Sequence, residues 1–324
     1  MRFYLWGPSS TGKTWLFDAF IKKVNLLDTA LSEYQPDPVY SVWFEDQMGM
    51  RQHRYTLDAQ ITPATPDIDY QDFTFFRKYL LDDVELNQQA LSFTHHFSMM
   101  DGQGDETTGQ ILIQANNEVN RAKVLAAHEA LIGSDYLIIC VERGQRNLEE
   151  NGGNNAGLHY VEKLRDLLKL KRKNDQEIII CFTKADLYGG KVAGFDSALL
   201  RLFGSYGKEV GNLLREINGN WSEPRCFFVS AVGYYRDINT NKAISNFSLS
   251  DNKLIEMENW NPFEVEKPFF NVLTKAEKKS LQQFESPEKN FVSRLLGKGI
   301  SQKDLVNKYI SYEQMIKYYT DGFR

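Results

Sequence analysis

Eight residues near the start of the chain, Gly7-Pro8-Ser9-Ser10-Thr11-Gly12-Lys13-Thr14, have the types and spacing G-x-x-x-x-G-K-[ST] of a loop that binds phosphate. Gly7 and Gly12 permit torsions and close backbone approach that a side chain would block. The amides between them, at Ser9, Ser10 and Thr11, form with the following helix N-terminus an anion nest suited to diphosphate oxygens. Lys13 is positioned to reach β- and γ-phosphates, and the Thr14 hydroxyl to ligate Mg²⁺. The flanks agree. Arg2-Phe3-Tyr4-Leu5-Trp6 reads as a strand, and Trp15 to Lys23 as a helix. Strand, glycine loop and helix in that order predict nucleotide binding.

Three later stretches narrow the chemistry. Asp101-Gly102-Gln103-Gly104 ends the strand Leu91 to Met100, where Asp101 can hold a Mg²⁺-bound water and the Gly104 amide can bond a γ-phosphate. Thr183-Lys184-Ala185-Asp186 follows the strand Glu177 to Phe182. A carboxylate there accepts from guanine N1–H and the 2-amino group, a donor pair that adenine lacks, with the Lys184 stem over the base. Ser230-Ala231 follows the strand Arg225 to Val229, where a backbone amide can reach guanine O6. All four stretches lie at strand C-terminal ends, the edge where open parallel sheets bind ligands.

On these residues the chain resembles P-loop GTPases of the Ras-like type over about residues 1–285. Gly7–Thr14, Asp101–Gly104, Thr183–Asp186 and Ser230-Ala231 match that family's first, third, fourth and fifth motifs. Trp260-Asn261-Pro262, Val265 and Pro268-Phe269 are also similar to the bacterial double-GTPases of multi-gene defence or signalling systems. The resemblance implies a GTP/GDP switch with Mg²⁺ that protein partners read. It departs from the family in places. Thr183 stands where Asn is usual, as in dynamin-like members, and Asp105-Glu106 replaces the Gln that directs water, with Gln103 inside the motif instead. The Mg²⁺-ligating switch threonine is expected at Thr65, with Thr62 the second choice. Slow or partner-assisted hydrolysis is the expectation. Two rival readings stay open, a P-loop ATPase or kinase, and a pseudo-GTPase that binds nucleotide without turnover.

These residues need a scaffold. Apolar strands at 136–142, 177–183 and 225–231 alternate with helical segments at 114–131, 157–173 and 195–217. That pattern predicts an α/β fold, a doubly wound and mostly parallel sheet with helices on both faces. Within a 1–285 domain, residues 28–89 read as an irregular insertion and 236–262 as a polar surface loop. In the insertion, Tyr40–Phe44 and Arg54–Asp58 read as short strands, and Asp72–Arg77 as a strand or the start of a helix. Residues 286–324 read as a helical C-terminal extension.

Composition bounds the rest. A chain of 324 residues, 42% hydrophobic and 25% charged, is an ordinary globular protein. A net charge of −5 gives no reason to expect nucleic acid or an anionic membrane. No apolar run nears the length of a membrane span, and Met1 leads at once into the first strand, so a cytoplasmic location is expected. Cys140, Cys181 and Cys226 each sit in an apolar strand and read as small buried hydrophobes. His95 and His96 alternate along a strand, so at most one faces the core. Arg51, Arg54 and the run Lys275 to Lys279 read as solvated charges.

Overall fold

Tyr136–Val141 (YLIICV) and Glu177–Phe182 (EIIICF) carry apolar side chains at nearly every position, so neither can turn a face to water. A computed structural model of the protein pairs the two as interior strands of a sheet. It describes residues 1–8, 11–32, 40–44, 69–79, 91–101, 118–142, 155–188, 194–219, 224–248, 253–255 and 260–283.

The order of elements is β1 (Arg2–Trp6), α1 (Lys13–Ser32), β2 (Tyr40–Phe44), β3 (Asp69–Tyr79), β4 (Leu91–Asp101), α2 (Glu118–Gly133), β5 (Tyr136–Val141), α3 (Asn155–Lys169) and β6 (Glu177–Phe182). Then follow α4 (Phe195–Phe203), α5 (Gly207–Asn218), β7 (Cys226–Phe228), β8 (Tyr234–Arg236), β9 (Ala243–Ser245), β10 (Phe247–Ser248), β11 (Lys253–Leu254) and α6 (Lys267–Gln283). The main sheet runs β2-β3-β4-β1-β5-β6-β7. From β4 to β7 every neighbouring pair is parallel.

Two compact units make up the chain. The larger holds Met1–Lys23, Phe44–Phe73 and Phe97–Pro268. Its sheet alternates in the expected way. Tyr4, Trp6, Leu137, Ile139, Val141, Ile178, Ile180 and Phe182 join Val161, Leu164, Leu199 and Leu214 of the helices in one core. The intervening Phe3, Leu5, Ile138, Cys140, Ile179 and Cys181 point to the opposite face and are equally buried. Both faces are therefore covered, consistent with a doubly wound sheet. Each such side chain contributes about 1.5–3 kcal/mol, against about 0.5–1.5 kcal/mol net for a typical hydrogen bond. Burial holds the frame, and the polar contacts position parts of it.

The N-terminal edge of the sheet is stitched shut. Asp135 accepts from the Arg2 amide and the Lys173 ammonium, each at 2.9 Å. Burial alone would raise the Asp135 carboxyl, but the Lys173 and Arg2 contacts hold it below its ordinary value.

The smaller unit holds Val24–Trp43, Thr74–His96 and Phe269–Arg324. Val24, Phe75, Phe269, Val272 and Leu273 are buried in it, with the Phe75 and Phe270 rings 5.9 Å apart. His95 Nε2 lies 2.8 Å from Glu277 Oε1, while His96 is exposed, so the strand histidines divide as their alternation predicts.

Several expectations need correction. Glu277 is fully buried rather than part of a solvated helix face, because its carboxylate turns inward to His95. The segment 195–217 is two helices, α4 and α5, parted by a turn at Gly204–Tyr206 that continuous apolar spacing conceals. Of the two readings of Asp72–Arg77, the strand is the one observed, within Asp69–Tyr79. Residues 236–262 are not a plain loop, since β8–β9 and β10–β11 form two small antiparallel ladders there. Cys226 is only half-buried, whereas burial pushes the Cys181 thiol well up and leaves it unreactive. Among the described residues no helix is long and apolar enough to cross a membrane. The extension 286–324, the strand expected at Arg54–Asp58, and Arg51 and Arg54 lie outside the described residues.

Candidate functional site

The loop after β1 turns away from the sheet at Gly7, where the backbone passes very close to β5. A Cβ at Gly7 would stand 2.8 Å from the Cys140 carbonyl oxygen and 2.8 Å from Thr11 Oγ1. That carbonyl is held in turn by the Tyr160 hydroxyl at 3.1 Å. No larger residue fits. Thr11 Oγ1 donates to the Pro8 carbonyl at 2.9 Å, closing the loop on itself. Gly12 sits at φ 84°, in the left-handed region, and α1 begins immediately after it.

Lys13 is the first residue of α1 and is only 7% exposed. Its Nζ donates to the carbonyls of Gly7 at 2.9 Å and Pro8 at 3.1 Å, so the ammonium lies against the start of the loop. The result is a positive charge beside a helix N-terminus, an arrangement that attracts phosphate.

The segment after β6 approaches the same loop. Thr183, buried at the strand end, donates from Oγ1 to the Thr11 carbonyl at 2.5 Å. Lys184 takes φ 55°, which swings the chain into the short 3₁₀ turn Ala185–Tyr188. The Ala185 amide bonds the Val229 carbonyl at 3.0 Å, tying this turn to the end of β7.

Asp186 follows, buried, with both carboxylate oxygens engaged. Oδ1 accepts from Ser230 Oγ at 2.5 Å, and Oδ2 from Ser245 Oγ at 2.6 Å. Ser230 Oγ also accepts the Gly233 amide at 2.9 Å. The Ala231 carbonyl accepts from Trp260 Nε1 at 2.7 Å, and the Trp260 ring meets Trp15 of α1 edge-on at 6.0 Å.

The chain matches no protein-family model and no curated protein sequence. The geometry itself therefore has to carry the functional reading.

Gly7, Thr11, Gly12, Lys13, Thr183, Lys184, Asp186, Ser230 and Ala231 converge at the C-terminal edge of β1, β6 and β7, as the strand order requires. Asp101 is aligned with Leu5 in the β1–β4 ladder, two residues before Gly7, so β4 ends beside the loop. The side chains of Thr14 and Asp101 lie outside the described residues, as do Ser9, Ser10, Thr62, Thr65, Gln103, Gly104, Asp105 and Glu106. Among the described residues no group of three or more His, Cys, Asp or Glu is gathered as a metal cluster. Ser245 was invisible in the sequence as a site residue. A signal did exist, in Tyr234-Tyr235-Arg236 and Ala243-Ile244-Ser245 on either side of the polar run Asp237–Lys242, the pattern of a hairpin.

Gly233 roots that hairpin. It has φ 73°, and a Cβ there would fall 2.0 Å from the Asn261 carbonyl oxygen. Positive φ alone costs a non-glycine residue about 1–2 kcal/mol, and overlap with backbone adds more. Gly233→Ala should therefore lower the urea midpoint clearly in equilibrium unfolding. An unchanged midpoint would show that residues 233 and 261 do not meet.

Proposed function

We propose that this protein binds GTP with Mg²⁺, hydrolyses it slowly, and acts as a nucleotide-dependent switch for protein partners. One observation carries the reading. Thr183, three residues before the carboxylate suited to guanine, bonds the carbonyl of Thr11 in the loop suited to phosphate. The two halves of the proposed nucleotide site would thus be joined by a direct contact. The Ser230–Asp186 bond supports the same reading, because it anchors one oxygen of the edge that would accept guanine N1–H and its 2-amino group.

The residues fit the nucleotide's charge. The buried Lys13 supplies one ammonium to meet phosphate oxygens, beside the N-terminus of α1. Thr14 and Asp101 are the residues that would hold Mg²⁺, one in the first turn of α1 and one ending β4. Mg²⁺ would neutralise charge that develops on the phosphates. Lys13 and the loop amides stabilise the same charge as water attacks the γ-phosphate. Thr65 and the Asp101–Glu106 segment are the proposed sensors of that phosphate. The narrower likeness at Trp260-Asn261-Pro262 makes a multi-gene bacterial defence or signalling system the proposed setting.

Asp105, in the place of a water-directing Gln, favours a second reading in which nucleotide is held without turnover. Multiple-turnover phosphate release separates the two. The isolated protein should release phosphate on the order of 10⁻³ s⁻¹ or slower, the intrinsic rate of an unassisted switch GTPase. No release beyond one equivalent would favour the binding module. Competition between GTP and ATP tests the base, and preference for ATP would overturn the guanine reading.

A further inference from the structure

The contact that the guanine reading does not use is the one from Ser245. It comes from β9, part of a hairpin that leaves the main sheet after Ala231 and returns its last residue to Asp186. The hairpin is well built. Tyr234 pairs with Ser245, Tyr235 with Ile244 and Arg236 with Ala243. Its turn closes through the Asp237 amide to the Lys242 carbonyl at 3.0 Å, and Asp237 Oδ2 accepts from Thr240 Oγ1 at 2.6 Å. At its root the Asn246 amide bonds the Gly233 carbonyl at 3.1 Å, and the Gly233 amide bonds Ser230 Oγ. A circuit results, from Asp186 to Ser230, to Gly233, to Asn246 and its neighbour Ser245, and back to Asp186.

Building on the guanine reading, we infer that Ser245 is a positioning residue for base recognition, which orients the Asp186 carboxylate so that both its oxygens face the base. The physical ground is the acceptor count. An ionised carboxylate has about four lone-pair sites. Ser230 takes one on Oδ1 and Ser245 takes one on Oδ2, which leaves one on each oxygen. Two parallel N–H donors need just that pattern. With Ser230 alone, the carboxylate could pivot about its bond to Oδ1 and present a single oxygen. Ser245 removes that freedom, and the ladder behind it prevents the hydroxyl from following such a pivot. Selectivity for the 2-amino group would thus depend on a hairpin nearly 60 residues on in sequence, a separation of 59 positions.

The test compares GTP, ITP and ATP affinities for the full chain and three variants at Ser245. ITP lacks the 2-amino group and so needs only one carboxylate oxygen. Ser245→Ala should lower the GTP-over-ITP preference at least fivefold. Ser245→Thr should restore it to within twofold, and Ser245→Cys, a weaker donor of similar size, should fall between. A merely structural role would lower the melting temperature of the nucleotide-free protein and leave the preference unchanged, which would overturn the inference. Tighter GTP binding by Ser245→Ala would overturn it too, since the hydroxyl would then compete with the base. Should Ser245→Ala not fold, the order of wild type, Thr and Cys decides the matter alone. A wild type with no preference for GTP over ATP would instead remove the guanine reading itself, an outcome distinct from the others.

Discussion

Lys13→Ala is expected to weaken GTP binding by at least a hundredfold and to abolish phosphate release. The ammonium is buried, and it is held by the Gly7 and Pro8 carbonyls at 2.9 and 3.1 Å. Phosphate oxygens offer it stronger partners than neutral carbonyls, because they carry negative charge and attract the ammonium directly. Hydrogen bonds to a charged group are worth about 1.5–3 kcal/mol each. Contacts to both β- and γ-phosphates therefore amount to roughly two to four orders of magnitude in affinity. The fold should survive. Only two carbonyls lose a donor, whereas β1 and α1 are anchored by Phe3, Tyr4, Leu5, Trp6, Leu16 and Phe17, all buried. Titration calorimetry and a melting curve on the same sample separate the two effects. Nucleotide affinity within threefold of wild type would remove the phosphate-loop assignment.

The site is legible in the sequence where local spacing dictates geometry. Gly7, Gly12 and Lys13 belong to one turn, so their relation follows from chain stereochemistry alone. Thr183–Asp186 and Ser230 are distant in sequence, yet they end apolar strands, and a parallel sheet brings such ends to one edge. Long-range pairing of polar side chains has no such rule. Ser245 reaches Asp186 because Gly233 turns the chain back, and nothing in Ser245's own neighbours marks its partner. Glu277 is the same lesson in the smaller unit. Between Lys275 and Lys279 it looks solvated, and only His95, 182 positions away, explains its burial. Thr183, where the resembled family usually carries Asn, ties the end of β6 to the loop after β1 through one hydroxyl on the Thr11 carbonyl.

Asp186→Asn should shift the base preference from guanine toward xanthine. In the native protein the carboxylate accepts from Ser230 on Oδ1 and from Ser245 on Oδ2. An asparagine keeps the shape but makes one of these positions a donor. The serine there can adapt, because a hydroxyl accepts as readily as it donates. The fold is thus expected to tolerate the change, and the effect should fall on the ligand. Guanine presents two N–H groups, and one would now face another N–H. A buried donor left without a partner costs about 1–3 kcal/mol, so GTP affinity should drop by about tenfold or more. Xanthine carries an oxygen in place of the 2-amino group and matches the amide, so XTP should bind better to the variant than to the wild type. ATP, which meets this edge with the wrong pattern in either protein, should remain poor. Competition among GTP, XTP and ATP on both proteins reads all three expectations at once. If the substitution leaves the GTP-to-XTP ratio unchanged, Asp186 does not read the base, and its two serine contacts are a structural knot between the 3₁₀ turn and the hairpin.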